Sequence, residues 1–91
     1  MVSENIMVKN KSGLHLRPAT ELNKVAMKCA SNVTLISGAK KVNPKSVIML
    51  MGCGIKCGTE ITVQCDGETE AEDLASILDA IRGGFGEEMI P

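Results

Sequence analysis

The chain has 91 residues, of which 44% are hydrophobic and 23% charged, and its formal net charge at pH 7 is −1. A chain of this length is expected to fold as one domain, spanning residues 1–91, because it is too short to build two hydrophobic cores. Phe85 is the one aromatic residue, and ten lysine and arginine residues face eleven acidic ones. Nucleic-acid binding is therefore disfavoured, since it depends on excess positive charge and on aromatic side chains that stack on bases.

The amino terminus and the cysteines indicate a cellular compartment. No apolar run approaches the roughly 20 residues of a membrane span, and the first five residues, MVSEN, lack the basic and apolar regions of a signal peptide. We therefore expect a cytoplasmic protein without membrane insertion. In a reducing compartment Cys29, Cys53, Cys57 and Cys65 are expected to be free, packed thiols. Cys53 and Cys57 offer two ligands where a zinc site needs about four, so we predict no metal and no cofactor.

Apolar periodicity and turn residues divide the chain into seven elements in the order βαββαβα. In chain order these are a strand over residues 4–9, a helix over 16–28, strands over 32–36 and 41–43, a helix over 46–51, a strand over 59–65, and a helix between Thr69 and Gly83. Each strand has one apolar face, and each long helix has one apolar stripe. The pattern predicts an α+β fold in which both long helices pack on one face of an antiparallel sheet.

The last helix and the tail have local signatures of their own. Thr69 and Glu72 fit a capping box, in which the threonine caps the helix and the glutamate reaches back to the chain before it. The apolar face of this helix is predicted from the spacing of Ala71, Leu74, Ile77, Leu78 and Ile81. Residues 86–91 show no periodicity, and we expect them to fray.

Residues 13–20, with the sequence GLHLRPAT, place the one histidine of the chain at a predicted helix start. The first N–H groups of a helix have no internal partner and bind anions, and the guanidinium of Arg17 can grip phosphate oxygens with two hydrogen bonds. A neutral imidazole at this place is a nucleophile whose phosphorylated form the same groups would stabilise. The segment favours a transiently phosphorylated His15. The alternative is a histidine that only caps the helix or packs locally.

This segment resembles the active-site signature of the HPr family, the histidine-containing phosphocarriers of the bacterial phosphoenolpyruvate–sugar phosphotransferase system. The family pattern is Gly-Leu/Ile-His-Ala-Arg-Pro-Ala, and the chain matches it except at Leu16, where alanine is usual. The resemblance covers nearly the whole chain in length and element order. It implies an open-faced β-sandwich, with helices on one side of a four-stranded antiparallel sheet, and a carrier protein that is not an enzyme.

The resemblance also implies residue roles and partners. His15 would accept phosphate on its Nδ1 atom from phosphorylated Enzyme I and donate it to the IIA domain of a sugar permease. Arg17 would stabilise the phosphorylated ring, and Ser12 lies where the family often has a supporting hydroxyl. Leu16 would enlarge the apolar rim beside the site and leave the backbone N–H available for phosphate. We expect the carrier to be a monomer.

Ser46 opens the second predicted helix, where a serine is a favourable N-cap. The sequence Lys45-Ser46-Val47 resembles the Lys-Ser-Ile of HPr proteins from Gram-positive bacteria, in which a dedicated kinase phosphorylates the serine. This resemblance implies catabolite regulation, with HPr kinase/phosphorylase and a catabolite-control transcription factor as partners. A phosphate there would add about −1.5 to −2 charges beside the docking surface. The continuation IMLMGCG departs from the usual Met-Gly-Val-Met-Ser-Leu-Gly.

Partner docking is expected on apolar side chains near His15, together with lysines that attract acidic proteins. The predicted docking residues are Leu14, Leu16, Thr20, Lys24, Val47, Ile48 and Met51. Lys28, Lys40 and Lys45 could add steering charge. The alternative for the apolar members is the core, and for each lysine a solvated surface position.

Three functions stay open at this point. The first is the phosphocarrier. The second is a regulatory module of the same fold that acts on a transcription factor through Ser46, and the third is a carrier in a nitrogen-related paralogous system with its own Enzyme I. His15 together with Arg17 favours a carrier over a purely regulatory module, which need not keep a phosphorylatable ring. The sequence around Ser46 favours the sugar system over the nitrogen-related one.

Overall fold

The computed structural model describes residues 1–90, which form one antiparallel sheet of four strands with helices packed against it. The elements in chain order are β1 (Val2–Met7), α1 (Leu16–Met27), β2 (Asn32–Ser37), β3 (Lys40–Val42), α2 (Val47–Gly52), β4 (Glu60–Asp66), α3 (Glu70–Arg82) and a 3-10 turn at Gly84–Gly86. Across the sheet the strands lie in the order β1-β4-β2-β3. The predicted α+β fold and element order are confirmed.

The core lies between the sheet and the two long helices. Strand β4 sits between β1 and β2, and its alternating residues Ile61, Val63 and Cys65 are buried while their neighbours are more exposed. The apolar stripe of α1 belongs to the same hydrophobic core, and its residues Leu22 and Ala26 are fully buried. A period of two in the strand and of 3.6 in the helix therefore places both sets of side chains in one core.

The start of α3 differs from the predicted capping box. The hydroxyl of Thr69 makes no capping hydrogen bond within residues 1–90; it donates instead to the carboxylate of Asp73 at 2.8 Å. That buried carboxylate also accepts the hydroxyl of Ser31 at 2.6 Å and its N–H at 3.0 Å. Glu72 is exposed, and so is Ala71, which was predicted on the apolar face. The Asp73 carboxylate therefore occupies the Thr69 hydroxyl and ties α3 to Ser31, which precedes β2.

The carboxyl-terminal segment is bound to the chain ahead of α1, so the prediction that it frays is wrong. The N–H of Lys11 donates to the carbonyl of Glu88 at 2.9 Å, and the N–H of Ile90 donates to the carbonyl of Lys9 at 2.8 Å. These contacts join residues almost a whole chain length apart, and such pairing leaves no local periodicity in the sequence. The last residue, Pro91, lies outside the described part of the chain.

The cysteines are free in the described chain, with Cys29, Cys53 and Cys65 buried and Cys57 half-buried. Burial raises the pKa of the Cys29 thiol to about 11, which makes it a packing residue rather than a nucleophile. Residues 1–90 contain no cluster of three or more potential metal ligands. Over the same residues no helix is long and apolar enough to cross a membrane.

Candidate functional site

His15 occupies the N-cap position of α1 with an exposed side chain. Its backbone is extended, with φ −93° and ψ −167°, and its carbonyl accepts the N–H of Ala19 at 2.8 Å. The imidazole makes no capping hydrogen bond within residues 1–90, so the alternative in which the histidine caps the helix is wrong. The ring stands at the helix start with its nitrogens open to a partner.

The first turn of α1 leaves backbone donors beside this ring. The N–H groups of Leu16 and Arg17 belong to the turn whose donors have no intrahelical partner, and the buried Pro18 has no N–H of its own. The first turn of α1 contains no acidic residue, whereas that of α3 contains three. The first turn of α1 therefore carries no acidic side chain of its own to compensate the positive end of the helix dipole, a situation that favours binding of an anion.

Arg17 supplies the cationic side chain of the site. It is exposed, and among the described residues its guanidinium forms no salt bridge. It lies at one end of an open groove of about 400 Å³ between α1 and the turn after α3. The groove is lined by Arg17, Glu21, Val25, Asp79, Ala80, Gly83, Phe85 and Gly86. A guanidinium two residues after the histidine, with no ion pair among the described residues, can bind phosphate oxygens directly.

The loop before His15 is set by a close approach of two backbones. Gly13 is buried at a φ of 64°, and a Cβ there would lie 2.6 Å from the carbonyl oxygen of Ile55. The N–H of Leu14 donates to that same carbonyl at 2.9 Å, and the Leu14 side chain is only 3% exposed. Leu14 is therefore a core residue, and its predicted place on the docking surface is wrong. By burying Leu14, the loop turns the next residue outward.

Ser12 lies in the same loop and is exposed. The structure shows its backbone N–H donating to the carboxylate of Glu87 at 3.2 Å. The same carboxylate accepts the side-chain amide of Asn10 at 2.9 Å. Sequence reasoning missed Asn10 and Glu87, because 77 residues separate them and the glutamate lies in a tail without periodicity.

Ser46 caps α2, as the sequence predicts. Its Oγ accepts the N–H of Met49 at 3.3 Å, and its backbone is extended, with φ −103° and ψ 106°. The residue is half-buried. The hydroxyl therefore lies at the amino-terminal end of α2, whose exposed side chains carry the apolar surface described next.

The other apolar residues predicted to dock partners differ in the exposure of their side chains. Leu16 is 61% exposed, Ile48 80% and Met51 41%, whereas Val47 is half-buried. Two further exposed methionines were missed, Met27 at 63% and Met49 at 45%. Helices α1 and α2 pack against each other. We group their exposed and half-buried apolar side chains under the name α1/α2 surface, which comprises Leu16, Met27, Val47, Ile48, Met49 and Met51.

Several of the polar residues predicted for docking and steering form hydrogen bonds or ion pairs within the chain. The hydroxyl of Thr20 is half-buried and donates to the carbonyl of Leu16 at 2.8 Å. Lys24 is exposed and lies 3.5 Å from Glu21. Lys45 donates to the carbonyl of Ser31 at 2.9 Å, and Lys40 also donates to a backbone carbonyl. Lys28 is exposed.

Comparison with known proteins identifies relatives that cover almost all of the chain. The family model described as "PTS HPr component phosphorylation site" matches residues 2–82. A phosphocarrier protein HPr of Mycoplasma capricolum is 42% identical over 77 residues, which are 85% of this chain and 86% of that protein. The phosphocarrier protein HPr of Neisseria meningitidis serogroup B is 36% identical over 87 residues, covering 96% of this chain and 98% of that protein.

Solved structures share the fold at similar identity. HPr-C-His from Thermoanaerobacter tengcongensis matches with a TM-score of 0.92 and 36% identity, over 98% of this chain and all of that one (100%). Crh, the catabolite repression protein of Bacillus subtilis, matches in its crystal structure with a TM-score of 0.73 and 36% identity, over 92% of this chain and 97% of that one.

Proposed function

Because the chain belongs to the HPr family of phosphocarriers of the phosphotransferase system, we propose that His15 accepts a phosphoryl group from phosphorylated Enzyme I and passes it to the IIA domain of a sugar permease. The exposed imidazole carries this proposal, because it stands at a helix start, two residues before a guanidinium that forms no salt bridge within residues 1–90. The family is one of carriers and not of enzymes, so the protein turns over only together with its two partners.

The transfer is a pair of displacements at phosphorus. In the first, the Nδ1 lone pair of His15 forms a bond to phosphorus, the bond to the donor on Enzyme I breaks, and the donor keeps its electron pair. In the second, an acceptor on the IIA domain attacks the same phosphorus, and the electron pair of the broken bond returns to Nδ1. Arg17 and the N–H groups of α1 stabilise the negative charge on the equatorial oxygens in both steps. In this scheme Ser12 adds a hydroxyl donor at the edge of the site.

Partner recognition is proposed for the α1/α2 surface, with Thr20 and Lys24 at its rim. Its methionines and Leu16 are flexible apolar groups that can adapt to differently shaped partners. Two partners that bind in turn at one surface suit a carrier, because each must leave before the other arrives. Acidic partners would be attracted by the exposed lysines around it. We propose that this exchange takes place in the cytoplasm and that the carrier works as a monomer of one domain.

Regulation is proposed at Ser46 through HPr kinase/phosphorylase. A phosphate on this N-cap is compatible with the helix, because the dipole of α2 favours negative charge at its amino-terminal end. It would place about −1.5 to −2 charges next to Val47 and Ile48, where an acidic partner would be repelled. A catabolite-control transcription factor is the proposed reader of the modified form.

The test is mass spectrometry of the intact protein after incubation with phosphoenolpyruvate and catalytic Enzyme I. We expect one acid-labile phosphoryl group on the parent and on Ser46→Ala, and none on His15→Ala. Incubation with HPr kinase and ATP should instead give an acid-stable group on the parent and His15→Ala but not on Ser46→Ala. The pair of variants separates the two sites, because each is the control for the other.

The remaining functions correspond to other outcomes of the same experiment. A folded parent that takes no phosphate from any Enzyme I, but is labelled by the kinase, would be a regulatory module acting through Ser46. Labelling by a nitrogen-system Enzyme I and not by the sugar-system enzyme would assign the protein to the paralogous system. Retention of acid-labile phosphate by His15→Ala would refute the assigned acceptor.

A further inference from the structure

The carboxylate of Glu87 joins the tail to the loop that precedes His15. It accepts two hydrogen bonds, from the side-chain amide of Asn10 at 2.9 Å and from the N–H of Ser12 at 3.2 Å. We call these three groups the Glu87 clamp. Backbone pairing of residues 88–90 with residues 9–11 holds the clamp in place from the other side.

The clamp is connected through Asn10 to Gly13, which lies two residues before His15. Asn10 is fully buried, and its side-chain amide donates a second hydrogen bond to the carbonyl of Gly13 at 2.8 Å. The N–H of Gly13 in turn donates to the carbonyl of Asn10 at 3.0 Å. The turn from 10 to 13 is therefore closed twice, and the orientation of the Gly13–Leu14 peptide depends on an amide that Glu87 orients.

Two contacts hold the peptide that leads into His15: a backbone hydrogen bond of Leu14 and the Glu87 clamp. The N–H of Leu14 is held by the carbonyl of Ile55, so the two anchors fix the peptide that leads into His15. If one anchor were lost, the loop could rotate about the anchor that remains, and the start of α1 would move with the loop. The geometry of the first turn, where phosphate must fit, depends on both anchors.

The two neighbouring glutamates have different environments. The amide of Asn10 and the N–H of Ser12 lower the pKa of Glu87, and the charge of Arg17 contributes in the same direction. The side chain of Glu88 is 79% exposed and lies 3.9 Å from the equally exposed amine of Lys11. An exposed pair of this kind contributes little. Glu88 is therefore a matched control for Glu87, with the same chemistry one residue away and, among the described residues, only this exposed pair with Lys11 as a side-chain contact with the loop.

We propose that Glu87 is a positioning residue of the phosphoryl site, which holds the 10–13 turn so that His15 and the first turn of α1 keep the geometry that accepts phosphate. The proposal rests on the phosphocarrier function proposed above. The carboxylate does not touch the transferred group; it acts through Asn10, Ser12 and Gly13. The tail thereby becomes part of the site, although the sequence places it at the opposite end of the chain.

The test compares Glu87→Ala, Glu87→Gln and Glu88→Ala with the parent in full-length protein. The rate of phosphorylation by Enzyme I is measured against carrier concentration, well below the unfolding temperature of each variant. We expect Glu87→Ala to lower kcat roughly tenfold or more with little change in KM, because misplacing the acceptor slows chemistry while every residue of the α1/α2 surface except Leu16 lies outside the first turn of α1. Glu87→Gln should stay close to the parent, because its amide oxygen can still accept both hydrogen bonds. Glu88→Ala should match the parent.

A purely structural role predicts a different result. It would lower the unfolding temperature of Glu87→Ala and leave kcat unchanged in the folded protein, which would overturn the proposal. So would an increase in kcat in both Glu87 variants, since that would mean that the negative charge opposes phosphate and the clamp does not help it. If the parent itself took no phosphate, the phosphocarrier function would fall and this inference with it. A labelled parent with an unaffected Glu87→Ala would overturn the inference alone.

Discussion

Replacement of Gly13 by alanine tests the backbone contact on which the site is built. Gly13 has a φ of 64°, and an added Cβ would lie 2.6 Å from the carbonyl oxygen of Ile55 and 2.8 and 2.9 Å from backbone atoms of Lys56 and Cys57. The left-handed conformation costs a non-glycine residue roughly 1–2 kcal/mol. Forcing a methyl group into a packed backbone costs typically about 1–3 kcal/mol more. We therefore expect Gly13→Ala to lower the free energy of unfolding by about 2–5 kcal/mol.

Gly38 provides the matched control for this substitution. It has nearly the same conformation, with a φ of 60°, but within residues 1–90 an added Cβ would meet nothing inside 4 Å. Gly38→Ala should therefore lose only the conformational part, roughly 1–2 kcal/mol. Urea unfolding of the parent and the two variants measures both losses, provided that the slope m is unchanged. Equal losses would refute the reasoning, because they would mean that the loop at residues 55–57 yields without cost.

Three further predictions concern other parts of the molecule. Asp73→Asn should lower the free energy of unfolding at neutral pH by roughly 1.5–3 kcal/mol, the value of hydrogen bonds to a charged group. The hydroxyl of Ser31 lowers the pKa of Asp73, so the stability that the carboxylate contributes is complete above the pKa of the unfolded state and is lost as the pH falls through the pKa of the folded state. The difference between parent and variant in urea unfolding should therefore shrink below about pH 4. Ile48→Glu should raise KM for Enzyme I without changing the unfolding midpoint, whereas the same change at the exposed Met7 of β1 should leave KM unaffected; equal KM values would exclude the α1/α2 surface as the docking site. Ser46→Asp should keep the cap but raise KM for Enzyme I, and Ser46→Ala should lose about 1 kcal/mol of stability with KM unchanged. An unchanged KM in Ser46→Asp would show that negative charge at this position does not affect docking.

The parts of the fold that the sequence predicts are those with a local cause. Alternation marks β4, and helical spacing marks the stripe around Leu22, because each element repeats its exposure with its own period. Ser46 was recognised as a cap because the signal lies within three residues of the group it binds. Thr69 has an equally good local signal, but the prediction that its hydroxyl caps α3 was wrong. Its hydroxyl found Asp73, and the same carboxylate bonds to Ser31, which is 42 residues away.

The sequence indicates candidate residues for the site but not the contacts that surround them. His15 and Arg17 were identified from adjacent residues and the polarity of a helix start. Leu14 was assigned to the surface because it lies beside an exposed histidine, yet its side chain packs in the hydrophobic core. Glu87 was missed because a single long-range clamp leaves no periodicity. Contacts between distant parts of the chain depend on tertiary structure, and the contacts that we propose to position His15 are of this kind.

The amino-terminal ends of the three helices differ in their side-chain partners, and the difference favours α1 as the proposed anion site. Helix α3 carries Glu70, Glu72 and Asp73 in its first turn, so its positive end is already balanced by the chain. Helix α2 has the hydroxyl of Ser46 on one of its free N–H groups. Helix α1 has neither an acidic first turn nor, within the described chain, a side-chain cap from His15. A phosphoryl group on the histidine would supply the missing negative charge, and because the ring is exposed, the group can leave again to a partner that offers equal stabilisation.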